Sequence, residues 1–316
     1  MTGHFIGAVA ALSLVAAAAS AQETALPGAA ADTVVGITLD QPSNTRPRSE
    51  KFWWDDDWFD RGLLPVPVNH TVSERALTYT NPDDGTEVPA MLYRPEAEGQ
   101  YPGVLFAHGR RGLDPLVRRL AVRLAARGFV VLAPDVYEAR FLEPFPITHD
   151  PSAEGDMAAG VDALLAQPEV SSSKVCLVSH TRGGFYALRV AVDRGRQADA
   201  VACYVGFYPH LQDPNAPEPE QVYRYHPDVD ALEIPALIFI GEYEQYQRRR
   251  SIETAVSFMK RAGRDVRLII YPGVGRGFDF RDPSVRTFAD DLATKDSNLR
   301  TADFIRAHLG ASCSEC

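Results

Sequence analysis

The sequence predicts an α/β protein built on a mostly parallel, twisted sheet with helices on both faces. Short apolar runs of strand length alternate with segments of helical spacing from about residue 100 onward. Those strand runs are apolar throughout, as strands covered on both faces must be. No internal repeat divides the pattern, so a single domain carries it, over residues 73–309.

The elements follow in order. SERALTYT and TEVPAMLY flank NPDDG, a turn sequence, and read as a hairpin. YPGVLFA is a strand, LDPLVRRLAVRLAARG a helix closed by Gly128, and FVVLAP the next strand. AEGDMAAGVDALLAQ has helical spacing and leads to the strand KVCLVS. A helix follows in FYALRVAVDRG, then three apolar strands in DAVACYVGFYP, ALIFIG and VRLIIYP. Helices near 250–262 and 285–309 complete the set, and the long insert 208–232 is a candidate lid.

The chain has 316 residues, of which 45% are hydrophobic and 23% charged, the balance of an ordinary globular protein. A net charge of −10 argues against a nucleic-acid surface and against a polybasic membrane anchor. MTGHFIGAVAALSLVAAAASAQ reads as a secretory signal peptide cleaved after Ala21, which predicts a periplasmic or secreted protein with no membrane span in the mature chain. Residues 22–72 read as a flexible leader and then an arm, KFWWDDDWFDRG, which holds every tryptophan of the protein: Trp53, Trp54 and Trp58. That arm either docks its aromatics on the domain or meets a protein partner. Cys176 and Cys203, inside strand candidates, read as packing residues; Cys313 and Cys316, in the tail 310–316, lack further ligands for zinc and suit either a local disulfide or a loose tail.

In an open parallel sheet, the loops at the carboxyl ends of the strands gather the residues that face a ligand. Here these are HGRRG (108–112), PDVYEAR (134–140), SHTRGG (179–184), GEYEQY (241–246) and YPGVGRGFDF (271–280). The series resembles the dienelactone hydrolase family of α/β-hydrolases over roughly residues 73–309. The resemblance implies an α/β-hydrolase fold and a nucleophile–acid–histidine triad, with Cys or Ser at the elbow. It places Thr181 at the nucleophile position, Glu244 at the acid position and Arg276 at the histidine position. It also implies that Arg140, ending the PDVYEAR segment, holds a substrate carboxylate.

The substitutions change the chemistry. A hydroxyl needs a base to take its proton, and a guanidinium with a pKa above about 12 cannot be one. Thr181 is also β-branched where an elbow demands a positive φ. His108, His149, His180, His210 and His226 are the candidate replacements for the base, although alternation points His180 away from the nucleophile side. Arg110, Tyr137, Arg140 and Arg182 form a candidate anion site, with Arg248-Arg249-Arg250 close behind Glu244. Alternatively, Arg276 simply pairs with Glu244 and fills the old active site.

Two functions follow. One is an exported protein that binds a small carboxylate or ester with hydrolysis weak or lost; the other is an active ester or lactone hydrolase using Thr181 with Glu244 or a mobile histidine. No cofactor is expected, since the glycines lack a dinucleotide fingerprint, and the acidic triplet Asp55-Asp56-Asp57 is too compact to predict a metal.

Overall fold

The computed structural model describes residues 70–282 and 284–310. The leader, the tryptophan arm and the CSEC tail lie outside them. The hairpin forms as β1 (Val72–Thr80) and β2 (Glu87–Pro95), antiparallel and in register from Val72↔Pro95 to Thr80↔Glu87. Gly85, at φ 77°, makes the turn between them.

Beyond the hairpin the chain alternates strand and helix. β3 (Tyr101–Ala107), α1 (Pro115–Ala125), β4 (Val130–Pro134), α2 (Val136–Ala139), α3 (Ser152–Leu165) and β5 (Val170–His180) come first. Then follow α4 (Gly183–Leu188), α5 (Arg196–Asp199), β6 (Val201–Phe207), α6 (Glu218–Tyr223), α7 (Asp228–Ala231), β7 (Ala236–Tyr243), α8 (Tyr246–Arg261), β8 (Val266–Gly275) and α9 (Phe288–Leu309). The sheet order is β1-β2-β4-β3-β5-β6-β7-β8, with β2 antiparallel to both neighbours and every pair from β4 to β8 parallel.

Local signals fix the ends of the helices. Asp114 caps α1 by accepting from Val117 N at 2.9 Å, with Pro115 as its first helical residue. Thr287 and Asp290 form a reciprocal capping box on α9, which Gly310 closes in the left-handed conformation. The centre of the core is the pair β3 and β4, where Val104, Leu105, Phe106, Val130, Val131 and Leu132 are fully buried. Placing those runs in the middle of the sheet is what their unbroken apolarity demands.

Cys176 and Cys203 are not merely packing residues. They face each other in register on the neighbouring strands β5 and β6 and form a disulfide, buried completely. Strand adjacency decides this pairing, and a sequence separation of 27 gives no hint of it. Replacing both by alanine is expected to cost roughly 2–4 kcal/mol in chemical unfolding, mostly by freeing the unfolded chain. A loss below 1 kcal/mol would mean that packing holds the two strands without the covalent link.

Candidate functional site

The turn from β5 into α4 carries Thr181 at φ 54°, the left-handed geometry that lifts one side chain off the end of the sheet. Thr181 N donates to Phe207 O at 3.1 Å, while its carbonyl accepts from Gly184 N and His210 N at 3.0 and 2.8 Å. The turn is this tight because two glycines follow. A Cβ on Gly183 would sit 2.1 Å from Ala107 O, and one on Gly184 would sit 2.4 Å from Pro209 Cβ. The Thr181 hydroxyl itself packs against Gly109 of the HGRRG turn.

At the acid and histidine positions the structure closes a salt bridge. Arg276 Nη1 donates to Glu244 Oε1 at 3.0 Å, and the Glu244 side chain is fully buried. The Arg276 guanidinium also lies over the Tyr208 ring, 5.2 Å from its centroid. Glu244 Oε2 and Arg276 Nη2 remain buried without a hydrogen-bond partner among the described residues.

The histidines hold other posts. His180 points behind the elbow, where Nε2 meets Asp279 Oδ2 at 2.7 Å and the ring stacks on Phe207. Tyr208 donates a short hydrogen bond to the other oxygen of Asp279, and Arg123 donates to its backbone carbonyl. Burial works to raise the Asp279 pKa, but His180, Tyr208 and Arg123 together hold it below the usual carboxylate range. His149 pairs with Glu154 at 2.8 Å, His226 lies beside Asp228, and His108 Nδ1 contacts Gly109 O. His210 is brought to the elbow through its backbone. Burial first, and then Arg276, Arg248, Arg182 and Arg110, push its imidazole well below the ordinary range. Such a ring is neutral but a weak proton acceptor.

The arginines sort into three groups. Arg140 does not face the elbow site. It grips the buried Asp156 with Nε and Nη2 at 2.7 and 2.6 Å, and Asp84 with Nη1 at 2.7 Å. Asp156 on α3 is a fully buried carboxylate that needs a cation, and Arg140 at the end of α2 supplies it. The expectation that Arg140 binds ligand is therefore corrected.

Arg110 and Arg182 belong to the site but act on the protein. Arg110 donates to the carbonyls of Phe145 and Pro146, and Arg182 to those of Pro146, Ile147 and Thr148, all within 3.0 Å. Together they clamp the loop that follows α2. Beneath the clamp, Tyr137 Oη, Tyr186 Oη and Arg182 Nε approach one another without any of them reaching hydrogen-bond geometry. Tyr137, a candidate from the sequence, thus lies beside Arg182 together with Tyr186, for which the sequence carries no signal.

Arg248 forms the third group. Helical spacing turns it inward from a run of three arginines, while Arg249 pairs with Glu253 and Arg250 covers Tyr223. Its Nη1 reaches Gln221 Oε1 at 3.2 Å. Burial, followed by repulsion from Arg276 and Arg182, lowers its pKa to about 10, a shift that Glu244 only partly offsets. Arg110, Arg182, Arg248 and Arg276 thus all act on His210, which touches the elbow through its backbone, with Glu244 as the carboxylate among them.

Comparison with known proteins agrees with this architecture. The model of the "Dienelactone hydrolase family" matches residues 88–309, well over half of the chain. The chain belongs to the dienelactone hydrolase family. A curated Bradyrhizobium relative, named "Probable 2-oxo-3-(5-oxofuran-2-ylidene)propanoate lactonase", is 25% identical over 232 residues, covering 70% of this chain and 89% of its own. Among solved structures, a bacterial brefeldin A esterase aligns with TM-score 0.60 and 19% identity, over 78% of this chain and 80% of that one. A hyperthermophilic esterase from Pyrobaculum calidifontis gives 0.56 and 19%, over 78% and 86%. At these identities the structures establish the α/β-hydrolase fold alone, and the dienelactone hydrolase assignment rests on the family match.

Proposed function

We propose that this dienelactone hydrolase family member is an exported protein that binds a small carboxylate or carboxylate ester at the elbow, with hydrolysis weak or lost. The observation that carries the reading is the charge balance around His210, whose backbone N donates to Thr181 O: four arginines act on it, and the carboxylate among them, Glu244, is already paired to Arg276. Like charges gathered in one buried place repel one another and gain stability from an incoming anion. The unpartnered Arg276 Nη2 offers such an anion a charge-assisted hydrogen bond. Export is supported by the N-terminal sequence and by the Cys176–Cys203 disulfide, which suits an oxidising compartment.

A second reading, ester or lactone hydrolysis by Thr181, is favoured by the retained elbow, since φ 54° is a costly conformation for a β-branched residue. Against it stands the base. Arg276 cannot accept a proton, and His149 and His180 are tied to carboxylates.

Titration calorimetry with benzoate, succinate and phthalate tests the first reading. Binding is expected, and Arg248→Ala is expected to weaken it by roughly 1.5–3 kcal/mol, the scale of a hydrogen bond to a charged group. Absence of binding at millimolar concentrations of all three would overturn it.

A further inference from the structure

A groove separate from the elbow opens beside the hairpin, with a volume of about 340 Å³. That is the small end of the range for small-molecule sites, roughly 300–1,000 Å³. Its floor is the β1–β2 ladder from Ala76↔Met91 to Thr78↔Pro89. Alternation puts these four side chains on one face of the hairpin, so the floor is mostly apolar. Arg118 of α1 stands on one wall, and Asp135 and Glu138 stand on the other. No residue of the elbow, of the Glu244–Arg276 pair or of the clamp lines it.

The walls carry opposite charges that do not pair with each other. Arg118 Nε donates to Leu113 O at 2.9 Å, which anchors the guanidinium on the α1 side and leaves both Nη groups without a partner among the described residues. Across the floor, Asp135 caps α2 by accepting from Glu138 N at 3.1 Å, and its own N donates to Pro89 O at 2.8 Å. The ring facing Asp135 is that of His108, 3.9 Å away, and burial lowers its pKa. Glu138 is exposed and has no ion-pair partner among the described residues. Arg118 and Asp135 are thus tied to the backbone beneath them. An apolar strip separates a guanidinium from two carboxylates, and none of the three has a cation or anion of its own.

We propose that this groove binds a zwitterion with an apolar body, an α-amino acid or a dipeptide. Its carboxylate meets the Nη groups of Arg118, its ammonium meets Asp135 and Glu138, and its side chain lies over Pro89 and Met91. Guanidinium grips a carboxylate through two parallel hydrogen bonds, and an ammonium brings three donors to the facing carboxylates. A plain anion would face Asp135 and Glu138, and a plain cation would face Arg118, so like charge rejects both. The groove shares no residue with the elbow, so the proposal holds whether or not carboxylates bind beside Thr181.

Titration calorimetry of the full chain with leucine and leucyl-leucine tests this. At least one of them is expected to bind at millimolar concentration or below. Arg118→Gln and Glu138→Gln alter exposed side chains, and each is expected to weaken that binding about tenfold or more, the scale of a lost hydrogen bond to a charged group. Benzoate, which has no ammonium, is expected to respond to neither variant. No binding of either zwitterion at about 10 mM overturns the proposal. So does zwitterion binding that neither variant weakens, since the ligand then sits elsewhere. Binding that only one variant weakens also overturns it, since a single charge is then recognised. Benzoate binding that falls in either variant does the same, since the groove then takes plain anions.

Discussion

Thr181→Cys, Glu244→Asp and Arg276→His, made together, are expected to raise aryl-ester hydrolysis by about 10² or more, the contribution usual for a placed general base. The scaffold for this is present. Thr181 already sits at φ 54° with its hydroxyl against Gly109, and cysteine relieves the β-branching at that angle. Arg276 and Glu244 already touch, at 3.0 Å, so a histidine and an aspartate would start as neighbours. The substitution also exchanges a guanidinium for an imidazole, which can take the thiol proton and return it to the leaving group. In the same assay, Thr181→Ala is expected to leave the background rate of the natural protein unchanged. A tenfold fall, about 1.4 kcal/mol in the barrier, would show instead that Thr181 takes part in catalysis. A folded triple variant with no gain would locate the loss in the shape of the pocket, in particular the clamp that Arg110 and Arg182 place over it.

Asp279→Ala is expected to destabilise the protein by roughly 3–5 kcal/mol, the scale for removing one partner of a buried pair. Asp279 accepts from both His180 and Tyr208 and is itself buried, so its loss strands two polar groups behind the elbow. For a domain of this size the melting temperature should fall by about 6–20 °C. The pH dependence distinguishes this from a simple packing defect. The folded pKa of Asp279 is depressed, so the unfolded state binds the proton more readily. The stabilisation is therefore complete above the unfolded pKa, about 4, and is lost as the pH falls through the folded value. The variant should lack that part of the acid-side slope in urea unfolding measured from about pH 3 to pH 7. If both proteins lose stability in parallel over that range, Asp279 does not carry the linkage.

The parts of the site legible in the sequence were those set by local chain geometry. The elbow, the HGRRG turn and the Glu244 and Arg276 positions each follow a strand directly, so their place at the carboxyl end of the sheet follows from the alternation of elements. The turning of His180 away from the nucleophile side was legible for the same reason. What escaped were pairings made across long sequence separations. Asp279 is 99 residues from His180, and Cys203 reaches Cys176 only because β6 lies beside β5. Arg140 misled because its partner, Asp156, comes from a helix whose buried face could not be told from its composition. Arg248 was visible only as part of a run, and it is the phase of α8 that separates it from Arg249 and Arg250.

The clamp over the elbow has a consequence for how this pocket can vary. Arg110 and Arg182 hold residues 145–148 entirely through main-chain oxygens, which every amino acid possesses. The identity of the side chains at Ile147 and Thr148 is therefore decoupled from the position of the backbone that bears them. Substitutions there can change what the mouth of the site recognises while leaving its outline in place. A change at either arginine would do the reverse, keeping the surface chemistry and losing its placement.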